Sequence, residues 1–179
     1  MHPDVLEILL SEEQIASRVR ELGRQISHDY QGQQLLIVGI LKGAAIFCAD
    51  LIRQVEIPLA IDFMAVSSYG ASTRSSGVIR ILKDLEEDLP EYHVLLVEDI
   101  VDTGLTLRYL KDYLQRRNPA SLKICVLLDK PSRRKVGIDI DYRGFEIPDA
   151  FVVGYGLDYN EQYRNLSYIS VLKPHVYGK

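Results

Sequence analysis

The chain has 179 residues, of which 47% are apolar and 26% are charged, a balance typical of one soluble globular domain. Its formal net charge of -4 gives no general attraction for nucleic acid, and no apolar run approaches the ~20 residues of a membrane span. Residues 1–4 lack the basic and apolar pattern of a signal peptide, and the two cysteines, Cys48 and Cys125, lack the spacing of metal ligands. We expect a cytoplasmic protein with buried free thiols.

The first half of the chain alternates helical and strand-like patterns. Residues 11–30 are predicted to form a helix, because Ser11 and Gln14 make a capping box ahead of an apolar stripe with helical spacing. The apolar run 35–40 predicts a buried strand, which is followed by a second helix. That helix is expected to bury one face, made of Ala45, Cys48, Ala49 and Ile52. A strand over 59–66 precedes a small, polar stretch over 67–77 without periodicity.

The second half of the chain continues this alternation. The predicted elements are strands over 78–82 and 93–97, a helix over 105–114, and strands over 122–128, 151–153 and 169–171. The helix is expected to place Leu107, Leu110 and Leu114 against the core. Buried strands that alternate with amphipathic helices indicate an α/β fold with a mostly parallel sheet flanked by helices. In such sheets ligands bind beyond the carboxyl ends of the strands, so the residues there are the candidate site.

The strand-to-helix turn at 97–106 is the most informative part of the sequence. It holds three acids, two threonines and one glycine ahead of the predicted helix. Gly104 permits a tight turn, and the amides from Asp102 to Thr106 converge at a helix N-terminus, which favours a bound phosphate. The hydroxyls of Thr103 and Thr106 add two donors.

The carboxylates of Glu98 and Asp99 indicate which phosphate compound fits this turn. They would repel a bare phosphate, whereas they would accept hydrogen bonds from the hydroxyls of a sugar phosphate. A simpler alternative is that Asp102 caps the helix. That alternative explains neither the Glu98-Asp99 pair nor the two threonines, so the turn favours a sugar-phosphate site.

The run Glu98-Asp99-Ile100-Val101-Asp102-Thr103-Gly104 resembles the phosphoribosyl-pyrophosphate motif of type I phosphoribosyltransferases, in the form used by their 6-oxopurine branch. The resemblance covers about residues 35–172. It implies one phosphoribosyltransferase domain over 1–179, with a core over about 35–150 and a small hood from the N-terminal segment and about 151–179. It also implies a purine salvage enzyme that transfers phosphoribosyl from 5-phosphoribosyl-1-pyrophosphate to hypoxanthine or guanine, releasing pyrophosphate. The resemblance further implies Mg²⁺ as cofactor and assembly into a homodimer or homotetramer.

The resemblance assigns roles to the residues of the turn. Glu98 and Asp99 would hold the ribose hydroxyls and, with Asp158, are candidate Mg²⁺ ligands. Asp102 would act as general base on the purine. The loop that would hold the ribose phosphate consists of Asp102, Thr103, Gly104, Leu105 and Thr106. Some relatives have lysine at position 105, but leucine is expected to matter little there, because the loop binds mainly through its amides.

The residues after the first buried strand, Leu41, Lys42 and Gly43, form a second candidate anion site. They resemble the family's pyrophosphate loop, which has a strained peptide at Leu41-Lys42, although an ordinary turn is an alternative. A lid is expected from Ser68 and Tyr69 through residue 77, since an oxocarbenium-like sugar must be kept from water. A flexible connection is the alternative, but roughly ten unstructured residues in a compact domain favour a functional lid.

Lys130, which follows the strand at 122–128, is the candidate for reading the base. The resemblance makes it the donor to the exocyclic oxygen of the purine. An ammonium group only donates, so it would favour an oxo group over the amino group of adenine. A solvated surface charge is the alternative. Arg133 and Arg134 would line the phosphate side, with Arg134 the better match to the family.

Residues 151–164 carry the remaining candidates. By the same resemblance, Phe151 would stack on the base, and the backbone of Val152 would read its polar edge. Asp158 would support Mg²⁺ and lie near the purine's 2-position, and Arg164 would neutralise pyrophosphate. The alternatives are that Phe151 packs in the core and that Asp158 is a turn acid.

Two other protein classes share parts of this pattern. A regulatory protein that senses phosphoribosyl pyrophosphate would need a nucleic-acid surface, which the acidic net charge and the absence of a helix-turn-helix pattern count against. A receiver-type signalling domain would have an acid pair after its first strand, where this chain has Lys42. The presence of Asp102, Lys130, Arg134 and Arg164 together favours chemistry over sensing.

Overall fold

The computed structural model describes residues 2–68, 79–86 and 88–177. Its elements in chain order are β1 (Val5–Leu10), α1 (Glu12–Asp29), β2 (Leu35–Leu41), α2 (Ala45–Ile52), β3 (Leu59–Ser68), β4 (Ile79–Lys83), β5 (His93–Val101), α3 (Leu105–Gln115), β6 (Ser121–Asp129), a 3-10 turn (Pro131–Arg133), β7 (Tyr142–Glu146), β8 (Val152–Val153), β9 (Ile169–Leu172) and α4 (Pro174–Tyr177). Every strand predicted from the sequence is present among them.

The larger sheet contains six strands in the order β4-β3-β2-β5-β6-β7. All neighbouring pairs are parallel except β3 and β4. The central strands are continuous apolar runs because both faces of the sheet are covered: α1 and α2 pack on one face and α3 on the other. The predicted α/β fold, a mostly parallel sheet flanked by helices, is confirmed.

A smaller antiparallel sheet, in the order β1-β9-β8, joins the two ends of the chain. Strand β8 begins at Val152, so this sheet lies next to Phe151 and the segment that follows it. The carboxyl ends of β2, β5 and β6 lie at one edge of the larger sheet, because these three strands run parallel. The smaller sheet and this edge together frame the candidate site.

The helix predictions are largely confirmed. At the start of α1, the Ser11 hydroxyl accepts from the Gln14 amide at 3.3 Å, and the Gln14 side chain accepts from the Ser11 amide at 2.8 Å. This reciprocal pair is the predicted capping box. Helix α3 buries the three leucines predicted to face the core.

Two details of the prediction are wrong. Helix α2 buries Phe47, Cys48 and Leu51, whereas Ala49 is exposed, because the larger apolar side chains turn inward. Strand β5 continues to Val101 instead of ending at residue 97, so Glu98 and Asp99 belong to the strand. The extension is held by parallel pairing with β6.

Strands β1 and β7 were not predicted. Both are edge strands with mixed burial, so neither shows the continuous apolar run that marks the central strands. Cys48 and Cys125 are buried free thiols, as predicted, and burial raises the pKa of Cys48 to about 12. Within the described ranges, none of the helices combines the length and apolar character that crossing a bilayer requires.

Candidate active site

A cavity of about 550 Å³ opens at the carboxyl edge of the larger sheet. Strand β5 contributes Asp99 to its wall, the turn after β5 contributes Asp102, and the segment after β6 contributes Lys130. The remaining predicted residues in its wall are Arg133, Phe151, Val152 and Asp158. Seven predicted site residues from distant parts of the chain therefore line one cavity.

A second cavity, of about 110 Å³, lies at the N-terminus of α3. Its wall includes Glu98, Asp102, Thr103, Gly104 and Thr106. The turn made of Asp102, Thr103, Gly104, Leu105 and Thr106 is called the cradle below. The first N–H groups of an α-helix have no acceptor within the helix, so this end of α3 offers donors to an anion.

Gly104, not Asp102, is the N-cap of α3. Its φ of 84° is in the left-handed region that glycine adopts without penalty. No side chain makes a capping hydrogen bond there, and the Thr103 hydroxyl lies 3.4 Å from the Leu105 amide. The alternative reading of Asp102 as a helix cap is therefore wrong. Leu105 is the first helical residue, and its side chain is exposed.

The carboxylate of Asp102 pairs with the guanidinium group of Arg133, and both residues line the large cavity. Its Oδ1 accepts from Arg133 Nε at 3.2 Å, and Arg133 also lies 3.5 Å from the carboxylate of Asp149. The backbone carbonyl of Asp102 accepts from Arg134 at 3.3 Å. Arg133 and Arg134 therefore both contact Asp102, one at its side chain and the other at its backbone.

Glu98, which is buried, and Asp99, which is partly buried, form an acid pair on adjacent residues of β5. Burial raises the pKa of Glu98 well above its ordinary value, and the charge of Asp99 raises it further. Burial also raises the pKa of Asp99, although hydrogen bonds and the charge of Arg164 oppose this shift. Glu98 lies in the wall of the small cavity and Asp99 in that of the large one, so the pair joins the two.

The loop of Leu41, Lys42 and Gly43 packs directly against this acid pair. The Leu41–Lys42 peptide bond is cis. A Cβ atom on Gly43 would lie 1.7 Å from the carboxylate of Asp99, and one on Gly156 would lie 2.1 Å from the Gly43 carbonyl. Only glycines permit this close packing. The predicted pyrophosphate loop therefore lies beside the cavity.

Lys130 is buried, which excludes the alternative of a solvated surface charge. Its Nζ donates to the carbonyl of Ala150 at 2.6 Å, immediately before Phe151. Phe151 is 40% exposed, so the core-packing alternative for this residue is wrong. Its ring stacks on Tyr177 at 5.0 Å between centroids and meets Tyr159 edge-on. Val152 is buried in β8.

Asp158 and Arg164 form an ion pair of 2.8 Å beside the cavity. The other carboxylate oxygen of Asp158 accepts from the Glu161 amide at 2.9 Å, as a turn acid would. Arg164 donates to the Gly156 carbonyl at 2.7 Å, and Lys42 pairs with Glu161 at 2.9 Å. Arg164 therefore contacts Asp158, Gly156 and Glu161. The last two of these residues contact the loop at 41–43.

Two expected features, the lid and the Mg²⁺ site, remain predictions. Ser68 is the last residue of β3, and Tyr69 with the rest of the predicted lid lies outside the described residues. Within the described part of the chain, no three His, Cys, Asp or Glu side chains cluster as a complete metal site. Any ion held by Asp99 or Asp158 would need oxygen ligands from a substrate as well, which is the usual mode for Mg²⁺.

Sequence reasoning missed Asp149 and Tyr177 and gave no role to Asp129. Asp149 contacts Arg133 and Tyr177 contacts Phe151, and no local spacing in the sequence connects the residues of either pair. One indication of Asp149 is present in the sequence, because the run Phe145-Glu146-Ile147-Pro148-Asp149 also resembles the family.

Comparisons with known proteins agree with this geometry. The family model described as "Phosphoribosyl transferase domain" matches residues 6–160. A hypoxanthine-guanine phosphoribosyltransferase of Mycobacterium bovis is 54% identical over 180 residues, covering 97% of this chain and 89% of the relative.

Two solved structures extend the comparison. The crystal structure of a Staphylococcus aureus hypoxanthine phosphoribosyltransferase has a TM-score of 0.96 and 53% identity, covering 100% of this chain and 97% of that one. A Trypanosoma cruzi hypoxanthine phosphoribosyl transferase, studied for the role of its C-terminal region in oligomeric state and enzymatic activity, has a TM-score of 0.94 and 44% identity, with 99% and 96% covered. This chain therefore belongs to the phosphoribosyl transferase family.

Proposed function

We propose that the protein is a purine salvage enzyme that transfers phosphoribosyl from 5-phosphoribosyl-1-pyrophosphate to hypoxanthine or guanine. The observation that carries this proposal is the junction of two cavities at Glu98, Asp99 and Asp102. The larger cavity has an exposed aromatic ring and a buried ammonium group, which suit a purine, and the smaller one has a helix N-terminus, which suits a phosphate. The names of the 54%-identical relatives support the same activity.

The base is read by Phe151, Lys130 and Val152. The exposed Phe151 ring offers a stacking surface, and the Val152 backbone meets the polar edge of the purine. Lys130 exchanges its contact with the Ala150 carbonyl for the exocyclic oxygen of the purine. An ammonium group has no lone pair to accept from an amino group, so adenine would leave a buried charge poorly satisfied.

Asp102 takes a proton from the five-membered ring of the purine as a ring nitrogen attacks the anomeric carbon. Its carboxylate lies in the wall of the purine cavity, and its backbone begins the cradle, so one residue is adjacent to both substrates. The bond from the anomeric carbon to pyrophosphate breaks, and the products are a nucleotide and pyrophosphate.

The sugar phosphate is held by the turn and by the loops around it. Thr103, Gly104, Leu105 and Thr106 offer amides and hydroxyls to the ribose phosphate. Glu98 and Asp99 accept from the ribose hydroxyls. The residues placed to meet pyrophosphate are Leu41, Lys42, Gly43 and Arg164. Arg134, in contrast, contacts the backbone of the cradle, because it donates to the Asp102 carbonyl.

The donor set at the cavity fits Mg²⁺. Asp99 and Asp158 line the same cavity, and Glu98 is adjacent to Asp99. Mg²⁺ is commonly bound by one or two carboxylates together with substrate phosphates. When bound, the ion neutralises charge on the departing pyrophosphate.

The remaining features of the proposal follow from the same reaction. The proposal keeps for Ser68, Tyr69 and the residues through 77 the role expected from the sequence, that of keeping water from the reacting sugar. The smaller sheet acts as a hood over the core of a single domain. A homodimer or homotetramer in the cytoplasm is proposed, and the oligomeric state studied for the Trypanosoma cruzi relative supports assembly of some kind.

One assay tests the proposal. The full-length protein is incubated with phosphoribosyl pyrophosphate and hypoxanthine, guanine, xanthine or adenine in turn, with and without Mg²⁺, and nucleotide is measured by chromatography. We expect nucleotide from hypoxanthine or guanine in the presence of Mg²⁺ and none from adenine. The proposal would be overturned if adenine were the one purine of the four that gave nucleotide, or if none of the four did.

A further inference from the structure

Asp129, the last residue of β6, is a buried carboxylate with two arginine partners. It is 1% exposed, and its Oδ2 lies 2.9 Å from Arg143 Nε while its Oδ1 pairs with Arg134. A buried charge is costly unless it is paired and hydrogen-bonded, and here both oxygens are engaged. The activity proposed above gives Asp129 no contact with either substrate.

The two arginines differ in what else they touch. Arg143 is half exposed, and its other partner is Glu146 at 3.6 Å, on the outer strand β7. Arg134 is only 18% exposed, and it donates to the backbone carbonyl of Asp102 at 3.3 Å. Arg134 therefore connects the buried carboxylate to the first residue of the cradle.

Further contacts fix this connection in place. The side chain of Arg134 packs under Gly104, where an added Cβ atom would lie 3.1 Å from Arg134 Cδ. The Lys135 amide donates to the Thr103 carbonyl at 2.9 Å. Asp129 pairs with Val101 of β5, so the carboxylate stands at the strand end from which the cradle begins.

The geometry of a peptide unit gives these contacts a consequence for binding. In a trans peptide the carbonyl and the next N–H point in opposite directions. Fixing the Asp102 carbonyl on Arg134 therefore fixes the direction of the Thr103 N–H, away from the guanidinium. That N–H is one of the cradle's donors.

We propose that Asp129 is a positioning residue for the cradle: through Arg134 it holds the Asp102 carbonyl and so aims the Thr103 amide for phosphate. The inference rests on the proposed function, because it assumes that the cradle binds the phosphate of phosphoribosyl pyrophosphate. It predicts that removing the Asp129–Arg134 pair weakens binding of that substrate and loosens the cradle even when no substrate is present.

The test compares Asp129→Asn and Arg134→Gln with Arg143→Gln. Arg143→Gln is a matched control, because it removes an arginine partner of the same carboxylate without touching the cradle. Calorimetry measures binding of phosphoribosyl pyrophosphate, and amide hydrogen exchange measures opening of residues 102–106 in the free protein. We expect Asp129→Asn and Arg134→Gln to weaken binding about 10-fold, the effect of losing one charge-assisted hydrogen bond, and to speed exchange. Arg143→Gln should leave binding within about two-fold and exchange unchanged.

The hydrogen-exchange arm separates positioning from direct contact. If Arg134 touched the phosphate itself, Arg134→Gln would weaken binding but leave exchange in the free protein unchanged, which would overturn the inference. Equal effects of Arg134→Gln and Arg143→Gln would also overturn it. Should Asp129→Asn fail to fold, the two arginine variants still decide the question. A wild-type protein that does not bind phosphoribosyl pyrophosphate would instead refute the proposed function, whatever the exchange data show.

Discussion

Replacing Asp102 by asparagine separates proton transfer from phosphate binding. Asparagine nearly preserves the shape of the side chain but cannot accept a proton. Because Gly104 is the N-cap, the helix does not depend on the Asp102 carboxylate. The contact between Arg134 and the Asp102 carbonyl also survives, since it involves only the backbone of residue 102.

The structure sets the size of the expected effects. The ion pair lost with Arg133 has partners that are 52% and 40% exposed, and such pairs contribute about 0–1 kcal/mol to stability. Loss of a general base typically lowers a rate ~10²- to 10⁴-fold. We therefore expect turnover on hypoxanthine to fall by about that factor, with binding of phosphoribosyl pyrophosphate changed only a few-fold and unfolding nearly unchanged.

Thr103→Val provides the opposite control. It removes a cradle hydroxyl and leaves the carboxylate of Asp102 in place, so it should weaken binding of phosphoribosyl pyrophosphate by about 1.5–3 kcal/mol. Both variants are examined by calorimetric binding and by steady-state turnover. Normal turnover by Asp102→Asn would show that the base lies elsewhere or that the purine enters deprotonated. The role of Asp102 would then be limited to the backbone of the cradle.

Three further variants or conditions test the rest of the site. Lys130→Ala should relax or destroy the preference for oxopurines, measured as kcat/KM for hypoxanthine against adenine; unchanged preference would show that Lys130 only ties the Ala150 carbonyl. Excess chelator should abolish nucleotide formation and added Mg²⁺ restore it, whereas full turnover in chelator would remove the roles given to Mg²⁺ and to Asp158. Glu98→Gln should raise the Tm in thermal unfolding more at about pH 8 than at about pH 5, and an equal rise at both would contradict the assigned burial effect.

The predictable parts of the fold are those whose burial gives a recognisable pattern among neighbouring residues in the sequence. Strands covered on both faces are continuous apolar runs, as at Leu35–Leu41, and amphipathic helices show their spacing, as at Leu105–Gln115. The edge strand Val5–Leu10 buries only some of its side chains and does not alternate strictly, so neither periodicity nor a continuous run identifies it. Its pairing partner, Ile169–Leu172, lies at the other end of the chain.

The candidate site also has a part that could be predicted from the sequence and a part that could not. The cradle and the acid pair are contiguous in sequence, so their chemistry could be inferred from one run of residues. The contacts that adjust the site join distant segments, such as Arg133 with Asp102 and Tyr177 with Phe151. No local pattern encodes such pairs, because they arise only when the strand ends are brought together at one edge of the sheet.

Burial of the acid pair at Glu98 and Asp99 lowers the stability of the fold when these groups are ionised. Under the proposed function, substrate binding would recover part of that free energy. A carboxyl group whose folded pKa is raised contributes stability below its unfolded pKa, and this stability is lost as the pH rises through the folded value. Glutamine at position 98 cannot ionise, so its advantage over glutamate should grow with pH in that direction. Ribose hydroxyls or Mg²⁺ would satisfy the same buried charges when substrate binds. The free protein therefore holds two carboxyl groups in an unfavourable environment, and under the proposed function bound substrate would relieve it. Glu98→Gln should accordingly stabilise the fold while weakening substrate binding.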